Sequence, residues 1–444
     1  MKALSVVYPL WFCLLVVELP LLGGPEGADD EKAPRVRGLS VYGMDNEQNL
    51  PVIVRDSIDR HGKPVRPQQY ITIQFDILAD DPPEMKIKFF HCDRDWKPDV
   101  NLFVQDEIHN TSFVLDFQTA PNGVSNYRYR YINRFPDTQD VVRFDYSGKW
   151  IFTLTDKSES TVFGGGRFIV VDNSAPTRLS VVNEYLTENS SPLNQIHKAI
   201  VHVTLPSEVE GSYFTTVDVL QNRRFDHSFR IGVNDRDPYT FVEGYGTGER
   251  TFGVSDIYPG NEYRTLDIGN ATRYRNRDVV RLVEGADQMR SFWRTGPDRN
   301  GTAVLNRFSG INSDYLEVLF RLDLTGSDLR SVTAGGRDIY LVGPFNQWEP
   351  TPDYRLAYDE TEHSLVTVQL LRRGVYDYQY VTGIWDEATQ TVTQQDWLVL
   401  EGNDWRTSDV YTALVYYNDP RFGGFDRIVG FAQATSVAAL PGSQ

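Results

Sequence analysis

Polar and apolar residues alternate most clearly near the end of the chain, within residues 336–380. This stretch predicts two short β-strands, at 338–342 and 376–381. The second strand places polar residues on one face and three aromatic side chains on the other, as in a half-buried strand: Tyr376, Tyr378 and Tyr380. The two strands predict a β-domain towards the C-terminal end.

The turn between these strands has the sequence Gly-Pro-Phe-Asn-Gln-Trp. Gly343 and Pro344 end the first strand, and Asn346 can cap the turn through its side chain. Phe345 and Trp348 provide apolar anchors that pack the turn back onto the sheet. The stretch resembles the early-set, immunoglobulin-like module of starch- and glycogen-binding domains. The resemblance implies either a carbohydrate-binding module or an all-β adaptor.

The same period of two recurs along the rest of the chain. Within residues 71–77, four large apolar residues alternate with polar ones and so share one face. Further strands are predicted at 86–90, 127–131, 149–155, 167–171, 200–205, 213–220 and 315–324. A glycine turn, 164–166, is expected before the strand at 167. No segment shows a helical period over three turns, so the sequence predicts an all-β fold of tandem β-sandwiches.

Turn-rich segments at 173–176 and 326–335 are the predicted linkers between domains. The predicted units are a signal peptide at 1–28, an N-terminal β-sandwich at 36–173, a middle β-rich domain at 179–325, a C-terminal early-set β-sandwich at 336–431 and a frayed tail at 433–444. The 444 residues are long enough for three such cores.

The N-terminal segment has a lysine followed by an apolar run, as secretory signal peptides do. A retained membrane anchor is the alternative, because no position gives a clean cleavage site. No later stretch is apolar over the length of a membrane-spanning helix, so we expect an exported, soluble protein. After cleavage Cys92 is the only cysteine, so no intramolecular disulfide is expected.

The formal net charge is −17, which disfavours nucleic acid and anionic membranes as partners. The chain has only nine lysines, the last at Lys198, so most of its positive charge comes from arginine. An acidic surface with few lysines suits a protein that works at high salt. A GC-rich genome that favours arginine codons gives the same composition.

The sequence shows no recognised catalytic or metal-binding motif. Its seven histidines do not form an HExxH motif, and no CxxC pair or GxSxG elbow occurs. The Asp-Arg-Asp triplets at 93–95 and 235–237 carry calcium-type ligands but lack the ligand set of a known loop, so solvated turns are expected there. We therefore predict no catalytic residues, no metal and no cofactor.

One local motif is distinctive: a hydrophobic strand runs into Cys92 and Asp93, and Trp96 follows. A structural role is expected, with Cys92 buried as a small apolar group and Trp96 covering the end of the sheet. A nucleophilic Cys92 would need a nearby base, and the neighbouring His91 points to the opposite face if the strand continues.

Several short motifs follow this one in a fixed order, at 147–150, 166–168, 343–348, 374–380, 401–403, 415–417 and 425–428. Their order and spacing resemble those of the plug protein family of the type IX secretion system, over about residues 36–431. The chain departs from the family in its low lysine content.

The resemblance implies a non-catalytic periplasmic protein at the inner face of the outer membrane. It implies one partner, a very large outer-membrane β-barrel translocon, whose periplasmic mouth the protein docks on and blocks. It supplies no catalytic residues and does not identify the interface.

Two other hypotheses remain open from the sequence. An exported carbohydrate-binding protein would stack sugar rings on exposed aromatic side chains, with Trp348, Tyr378, Trp385 and Trp397 as candidates. An exported glycoside hydrolase with an accessory module is weakened because no segment predicts an α/β barrel.

Overall fold

The computed structural model describes residues 33–55, 57–58, 64–65, 69–137, 141–185, 195–206, 214–234, 236–244, 248–283, 285–290, 298–324 and 326–436. The predicted signal peptide lies outside the described residues. The fold is all-β, as the sequence predicts, and the described part contains one short α-helix. Within those ranges, no helix is long and apolar enough to cross a membrane.

The N-terminal unit is a β-sandwich. Its strands are β1 (Arg35–Gly43), β2 (Val52–Val54), β3 (Ser57–Ile58), β4 (Pro64–Val65), β5 (Ile71–Leu78), β6 (Met85–Cys92), β7 (Thr111–Ser112), β8 (Gln118–Thr119), β9 (Tyr129–Phe135), β10 (Gly148–Asp156) and β11 (Val162–Val171). Sheet A has the order β1-β5-β9-β8, and sheet B has the order β2-β11-β10-β6-β7. Strands β3 and β4 form a separate hairpin.

The core of this sandwich follows from the alternation in the sequence. The residues with a period of two on β5 and β6 point inwards and meet Trp150, Phe152 and Leu154 of β10. The Phe89 ring contacts four other aromatic rings with centroid distances of 5.0–6.1 Å. Such aromatic packing contributes beyond the apolar area that it buries.

The glycine run 164–166 was predicted to be a turn, and this is wrong because these residues lie inside β11. A Cβ atom on Gly165 would lie 2.4 Å from the Phe152 backbone oxygen, and one on Gly166 would lie 2.7 Å from the Phe152 ring. The glycines therefore allow β11 and β10 to pack closely, a role that the sequence does not distinguish from a turn.

A second sandwich begins after residue 176. Its first strands are β12 (Thr177–Tyr185), β13 (Gln195–Thr204), β14 (Phe214–Gln221), β15 (Ser228–Gly232), β16 (Thr240–Glu243) and β17 (Glu249–Ile257). Strands β12-β13-β17-β16 form sheet D. Strands β14 and β15 belong to a different sheet, which later strands complete.

The chain then builds a third β-unit before it returns. The elements of this unit are β18 (Arg264–Asp267), β19 (Val280–Arg281), β20 (Asp287–Gln288), β21 (Ala303–Val304), β22 (Tyr315–Asp323), α1 (Gly326–Val332), β23 (Asp338–Val342), β24 (Ala357–Asp359), β25 (Ser364–Arg372), β26 (Val375–Asp386) and β27 (Thr391–Asp396). Sheet E forms around β26, which pairs with β18, β21, β23 and β27. Sheet F contains β19, β20, β22, β24 and β25, and it packs on sheet E.

The last two strands, β28 (Val410–Asp419) and β29 (Phe425–Thr435), return to the second sandwich. They complete sheet C in the order β15-β14-β28-β29. Sheet C packs on sheet D through one apolar cluster and on sheet B through another. Sheets A, B, C and D therefore form a stack of four layers, with sheet C covered on both faces.

This strand pairing departs from the predicted middle and C-terminal units at 179–325 and 336–431. Strands from both predicted units share sheet C, and β18 and β22 pair with strands of the predicted C-terminal unit. Residues 326–332 form α1 inside the third unit, where a linker was predicted. Residues 433–435 of the predicted tail belong to β29, and residues 437–444 lie outside the described part.

The predicted tyrosine strand is confirmed as part of β26, but it is buried on both faces. Tyr376, Tyr378 and Tyr380 enter the core between sheets E and F. On the other face, the Asp377 carboxylate accepts hydrogen bonds from the backbone N–H groups of Arg299 and Gly301 at 2.6 and 3.1 Å. The predicted alternation of aromatic and polar residues along this strand is therefore correct. The polar face of the strand is covered by the segment that contains Arg299 and Gly301.

An ion pair is buried between sheets B and C. Lys149 of β10 lies 3.3 Å from the Asp218 carboxylate of β14, and both side chains are almost inaccessible to solvent. The Lys149 ammonium group also donates to the Arg94 carbonyl at 2.7 Å and lies 5.0 Å from the centroid of the Trp96 ring. Burial lowers the pKa of Lys149, and the Asp218 charge opposes that shift.

Lys149→Ala should lower the free energy of unfolding by about 2–3 kcal/mol, because it removes one of the two cations beside the buried Asp218 carboxylate and leaves only Arg230, at 3.3 Å. Urea denaturation followed by tryptophan fluorescence measures the change. Lys157→Ala is the matched control, since the Lys157–Glu84 pair is exposed. Equal stability of the two variants would contradict a structural role for the buried pair.

Candidate interaction surface

The Cys92–Trp96 motif lies at the junction between the N-terminal unit and sheet C. The Trp96 ring contacts the Phe225 ring at 5.4 Å, and its indole N–H donates to the Phe225 carbonyl at 3.4 Å. Cys92 is buried in the same apolar cluster, and burial raises the pKa of its thiol to about 12. A thiol in that state is not a nucleophile at neutral pH.

Asp93 forms the turn that carries Trp96 into the junction. Its Oδ1 atom accepts hydrogen bonds from the backbone N–H groups of Asp95 and Lys97, at 2.8 and 3.0 Å. Trp96 has a φ of 63°, in the left-handed region. Within the part of the chain that the structure describes, no group of three or more His, Cys, Asp or Glu side chains could hold a metal ion.

The turn after β23 is held by its own side chains. The Asn346 Oδ1 atom accepts the Gly343 N–H at 2.9 Å, and the Asn346 amide group donates to the Leu341 carbonyl at 2.9 Å. Phe345 stacks on Tyr354 at 5.6 Å. Trp348 is buried, and its indole N–H donates to the Gly301 carbonyl at 2.9 Å.

The four aromatic candidates for sugar binding do not form an exposed platform. Trp348 and Tyr378 are buried, and the Tyr378 hydroxyl donates to Asp287 at 2.9 Å. Trp385 and Trp397 are partly buried against the cluster that contains Trp348. The structure brings Trp348, Trp385 and Trp397 together in one cluster, in which Trp348 is buried, and Tyr378 lies in the separate core between sheets E and F.

The most prominent surface feature is a segment between β6 and β8, residues 99–114, which we call the apolar loop. Six of its large apolar side chains are exposed, and the exposed fraction reaches 89% for Val100, 85% for Leu102 and 78% for Val114. The full set is Val100, Leu102, Phe103, Ile108, Phe113 and Val114. Single exposed apolar residues are normal, whereas several in one short segment mark an interaction site.

The apolar loop has a fixed backbone. Its two ends bond to the same strand: the Asp99 N–H donates to the His91 carbonyl, and the Phe89 N–H donates to the Asn110 carbonyl, both at 2.8 Å. Between them, the Gln105 amide group donates to the His91 carbonyl at 3.1 Å. Val104 points inwards and is buried. The loop is thus a compact Ω-type loop pinned on β6.

Polar side chains complete this scaffold from within. The Asn110 Oδ1 atom accepts the Asp106 N–H at 2.9 Å, and the Asn110 amide group donates to the Arg143 carbonyl at 2.9 Å. His109 and Asp106 pair through Nδ1 and Oδ2 at 2.6 Å. The loop therefore bonds its backbone to polar side chains such as the buried Asn110 while six of its apolar side chains face solvent, which reverses the usual arrangement.

Sequence reasoning missed the apolar loop. Its apolar residues follow no period of two or 3.6, so they predict neither a strand face nor a helix face. A usable signal was present: apolar residues in a segment with Pro98, Asn101 and Asn110, whose types favour turns.

Comparison with known proteins gives a family-model match for the N-terminal unit. Residues 36–172 match a family model. The matched family is the type 9 secretion system plug protein 1st domain. The match covers β1 from its second residue through β11 and includes the whole apolar loop. It supports a role related to type IX secretion and an envelope-associated location.

The structure also resembles a solved one along most of its length. A crystal structure of a hypothetical protein from Parabacteroides merdae matches with a TM-score of 0.69 and 16% identity, over 91% of this chain and 98% of that chain. This likeness shows the fold. A biofilm-associated protein BSP domain gives a TM-score of 0.14 at 6% identity, over 94% of this chain and 100% of that chain, and carries no argument. No curated protein matches the chain.

Trp348→Ala should destabilise the protein by about 3–5 kcal/mol, because it removes a buried ring and leaves a cavity. Chemical denaturation measures the loss. Trp385→Ala, at a partly buried position of the same cluster, should cost less and serves as the control. A Trp348→Ala variant of unchanged stability would show that the ring is not a core element.

A charged cluster joins all three units and predicts a pH dependence. Arg167 of β11 pairs with Asp226, and with Glu349 at 2.6 Å. Burial raises the pKa of Glu349 to about 8, the Asp226 charge adds to the shift and the Arg167 charge opposes it. The folded state therefore retains a proton on Glu349 at pH 7 that the unfolded chain has released.

Stability should consequently fall as the pH rises from 6.5 to 8, by about 1 kcal/mol per pH unit for this group. Burial likewise raises the pKa of Glu262 to about 8, so it contributes to the same slope. Glu349→Gln should make the slope shallower, and denaturation at three pH values tests this. Glu317→Gln, at an exposed position, is the control. An unchanged slope in Glu349→Gln would contradict the assignment.

Proposed function

We propose that the protein is a non-catalytic plug of the type IX secretion translocon. In this proposal it docks on the periplasmic mouth of a very large outer-membrane β-barrel and closes it while no substrate passes. The observation that carries the proposal is the family match of residues 36–172, the unit that presents the apolar loop. The function then depends on reversible surface contact.

The apolar loop is the proposed docking element. Burying one large apolar side chain contributes about 1.5–3 kcal/mol. Six such side chains on a rigid backbone could together stabilise a specific complex even after the cost of association. Because the loop is already ordered by its bonds to β6, little further ordering is required when it binds.

The rest of the molecule supports a blocking role mechanically. A plug has to resist deformation, and sheets A to D are stacked with buried side chains between each adjacent pair. The third unit is joined to the N-terminal unit through the Asp314 carboxylate, which accepts the backbone N–H groups of Ser125 and Asn126 at 3.1 and 3.0 Å. A load on the apolar loop would therefore be transferred to the whole chain.

Leu102→Ser combined with Phe103→Ser should reduce recovery of the barrel translocon by at least tenfold, because both side chains are exposed in the free protein and proposed to be buried in the complex. The assay is co-purification of the tagged full-length protein from its own outer membrane in mild detergent at native salt. Stability should change little, since neither side chain contributes to the core.

Val368→Ser combined with Leu370→Ser is the matched control, because these two exposed residues lie in the third unit. The control should recover the barrel as the parent does. Failure of the parent itself to recover a large barrel would refute the proposed function. Equal recovery by both double variants would retain the function and remove the apolar loop from the interface.

A further inference from the structure

A second ordered loop has the opposite chemistry. Residues 270–283, which we call the arginine loop, connect β18 to the segment just beyond β19 in the third unit. They contain four arginines and one aspartate, within a chain whose formal net charge is −17. Arg273, Arg275, Arg277 and Arg281 are all exposed. The loop is therefore a local concentration of positive charge on an acidic protein.

The buried side chain of Arg373 fixes the backbone of the arginine loop through hydrogen bonds. Arg373 is fully buried, and its guanidinium group donates to the Tyr274 carbonyl and, at 2.8 Å, to the Asn276 side-chain oxygen. The Asn276 amide group in turn donates to the Asp314 carboxylate at 3.4 Å. Tyr274 and Asn276 thus lie against the protein, while Arg273, Arg275 and Arg277 face solvent.

The start of the loop is ordered as well. The Asn270 Oδ1 atom accepts the N–H groups of Thr272 and Arg273 at 2.9 and 3.1 Å, which forms a tight turn. Arg277 has a φ of 74°, in the left-handed region that non-glycine residues seldom adopt. This conformation is part of the turn between Asn276 and β19. The arginine side chains thus project from a defined backbone.

Three of the arginines carry unneutralised charge. Across the residues that the structure describes, no ion pair involves Arg273, Arg275 or Arg277, whereas Arg281 lies 2.8 Å from the Glu362 carboxylate. The Arg281 contact shows how a guanidinium group of this loop meets a carboxylate. Unpaired arginines gathered on one rigid loop favour an anionic partner, because a guanidinium group can form two parallel hydrogen bonds to a carboxylate or phosphate.

Apolar groups accompany these charges. Val279 and Val283 are exposed and alternate with Arg277 and Arg281. Arginine beside apolar surface is typical of protein–protein contacts, where the stem and the valines pack while the guanidinium group pairs. A free phosphate ion would pair with the arginines but would leave Val279 and Val283 exposed to water.

We propose that the arginine loop binds a carboxylate-rich segment of a partner protein. A narrow acidic segment can contact the arginine loop without strong repulsion from the rest of the acidic surface, because protein charges further than about 8 Å away are largely screened at physiological salt. An extended anionic membrane would also face the acidic remainder of the surface, which would repel it. The proposal goes beyond the proposed function and can be tested without the barrel.

The experiment measures binding of a fluorescein-labelled octaglutamate peptide to the purified full-length protein by fluorescence anisotropy at low salt. Saturable binding is expected, with at least a tenfold loss of affinity at 0.5 M salt. The variant Arg273→Gln/Arg275→Gln/Arg277→Gln should lose at least tenfold in affinity at low salt and keep its thermal stability, because these side chains are exposed.

The matched control is Arg128→Gln/Arg134→Gln/Arg355→Gln, which removes the same charge at three other exposed sites. It should bind octaglutamate within about twofold of the parent. Parallel titrations use phosphatidylglycerol vesicles, inorganic phosphate and octaglutamine. Equal affinity of the two triple variants for octaglutamate would overturn the proposal. Binding to vesicles that depends on the arginine loop, without binding to octaglutamate, would also overturn it. Loop-dependent dimerisation in sedimentation would overturn it in favour of a second copy.

Discussion

The structure depends on the contact between sheets B and C. This layer contains apolar side chains from both sheets and a buried ion pair, Lys149 with Asp218, whose carboxylate also lies 3.3 Å from Arg230. Removing two charges from water is costly, and here the cost is offset by the mutual attraction, by the Arg94 carbonyl and by the aromatic rings of Trp96 and Tyr416. Apolar packing could proceed in many registers, whereas this pair is satisfied in one. Together with the Arg94–Asp426 and Arg427–Asp172 pairs, it therefore helps to set how the N-terminal sandwich sits on the second.

Individual strands and turns could be predicted from the sequence because each depends on the residue types within its own short segment. Alternation located β5, β6, β10, β23 and β26 to within a few residues, and the turn chemistry of Asn346 followed from its residue type. The domain boundaries were not accessible in this way. Pairing of β14 with β28 joins residues nearly 200 positions apart, and no residue type marks such a partner. The glycines of β11 allow close approach between strands, which composition alone does not separate from a turn.

The apolar loop and the arginine loop are built in the same way but expose different side chains. In the apolar loop, Gln105 and Asn110 hold the backbone so that Leu102 and Phe103 face water. In the arginine loop, Arg373 holds the backbone so that the free arginines face water. Both loops are ordered before binding, which lowers the entropic cost of forming a complex. Sequence reasoning found neither loop, because a search for periodic patterns passes over apolar or charged residues that follow no period.

The return of β28 and β29 to the second sandwich also governs the order of folding. Sheet C lacks half of its strands until the chain beyond residue 410 is present, because the third unit is inserted between β17 and β28. The N-terminal sandwich can form as soon as residue 171 has emerged, but the second sandwich is complete only at residue 435, roughly 260 residues later. During that interval, sheet B exposes the apolar face that sheet C will cover. A chain that emerges from its N-terminal end would therefore need protection from aggregation at this stage, and the face of sheet B that sheet C later covers would be its most vulnerable surface during synthesis.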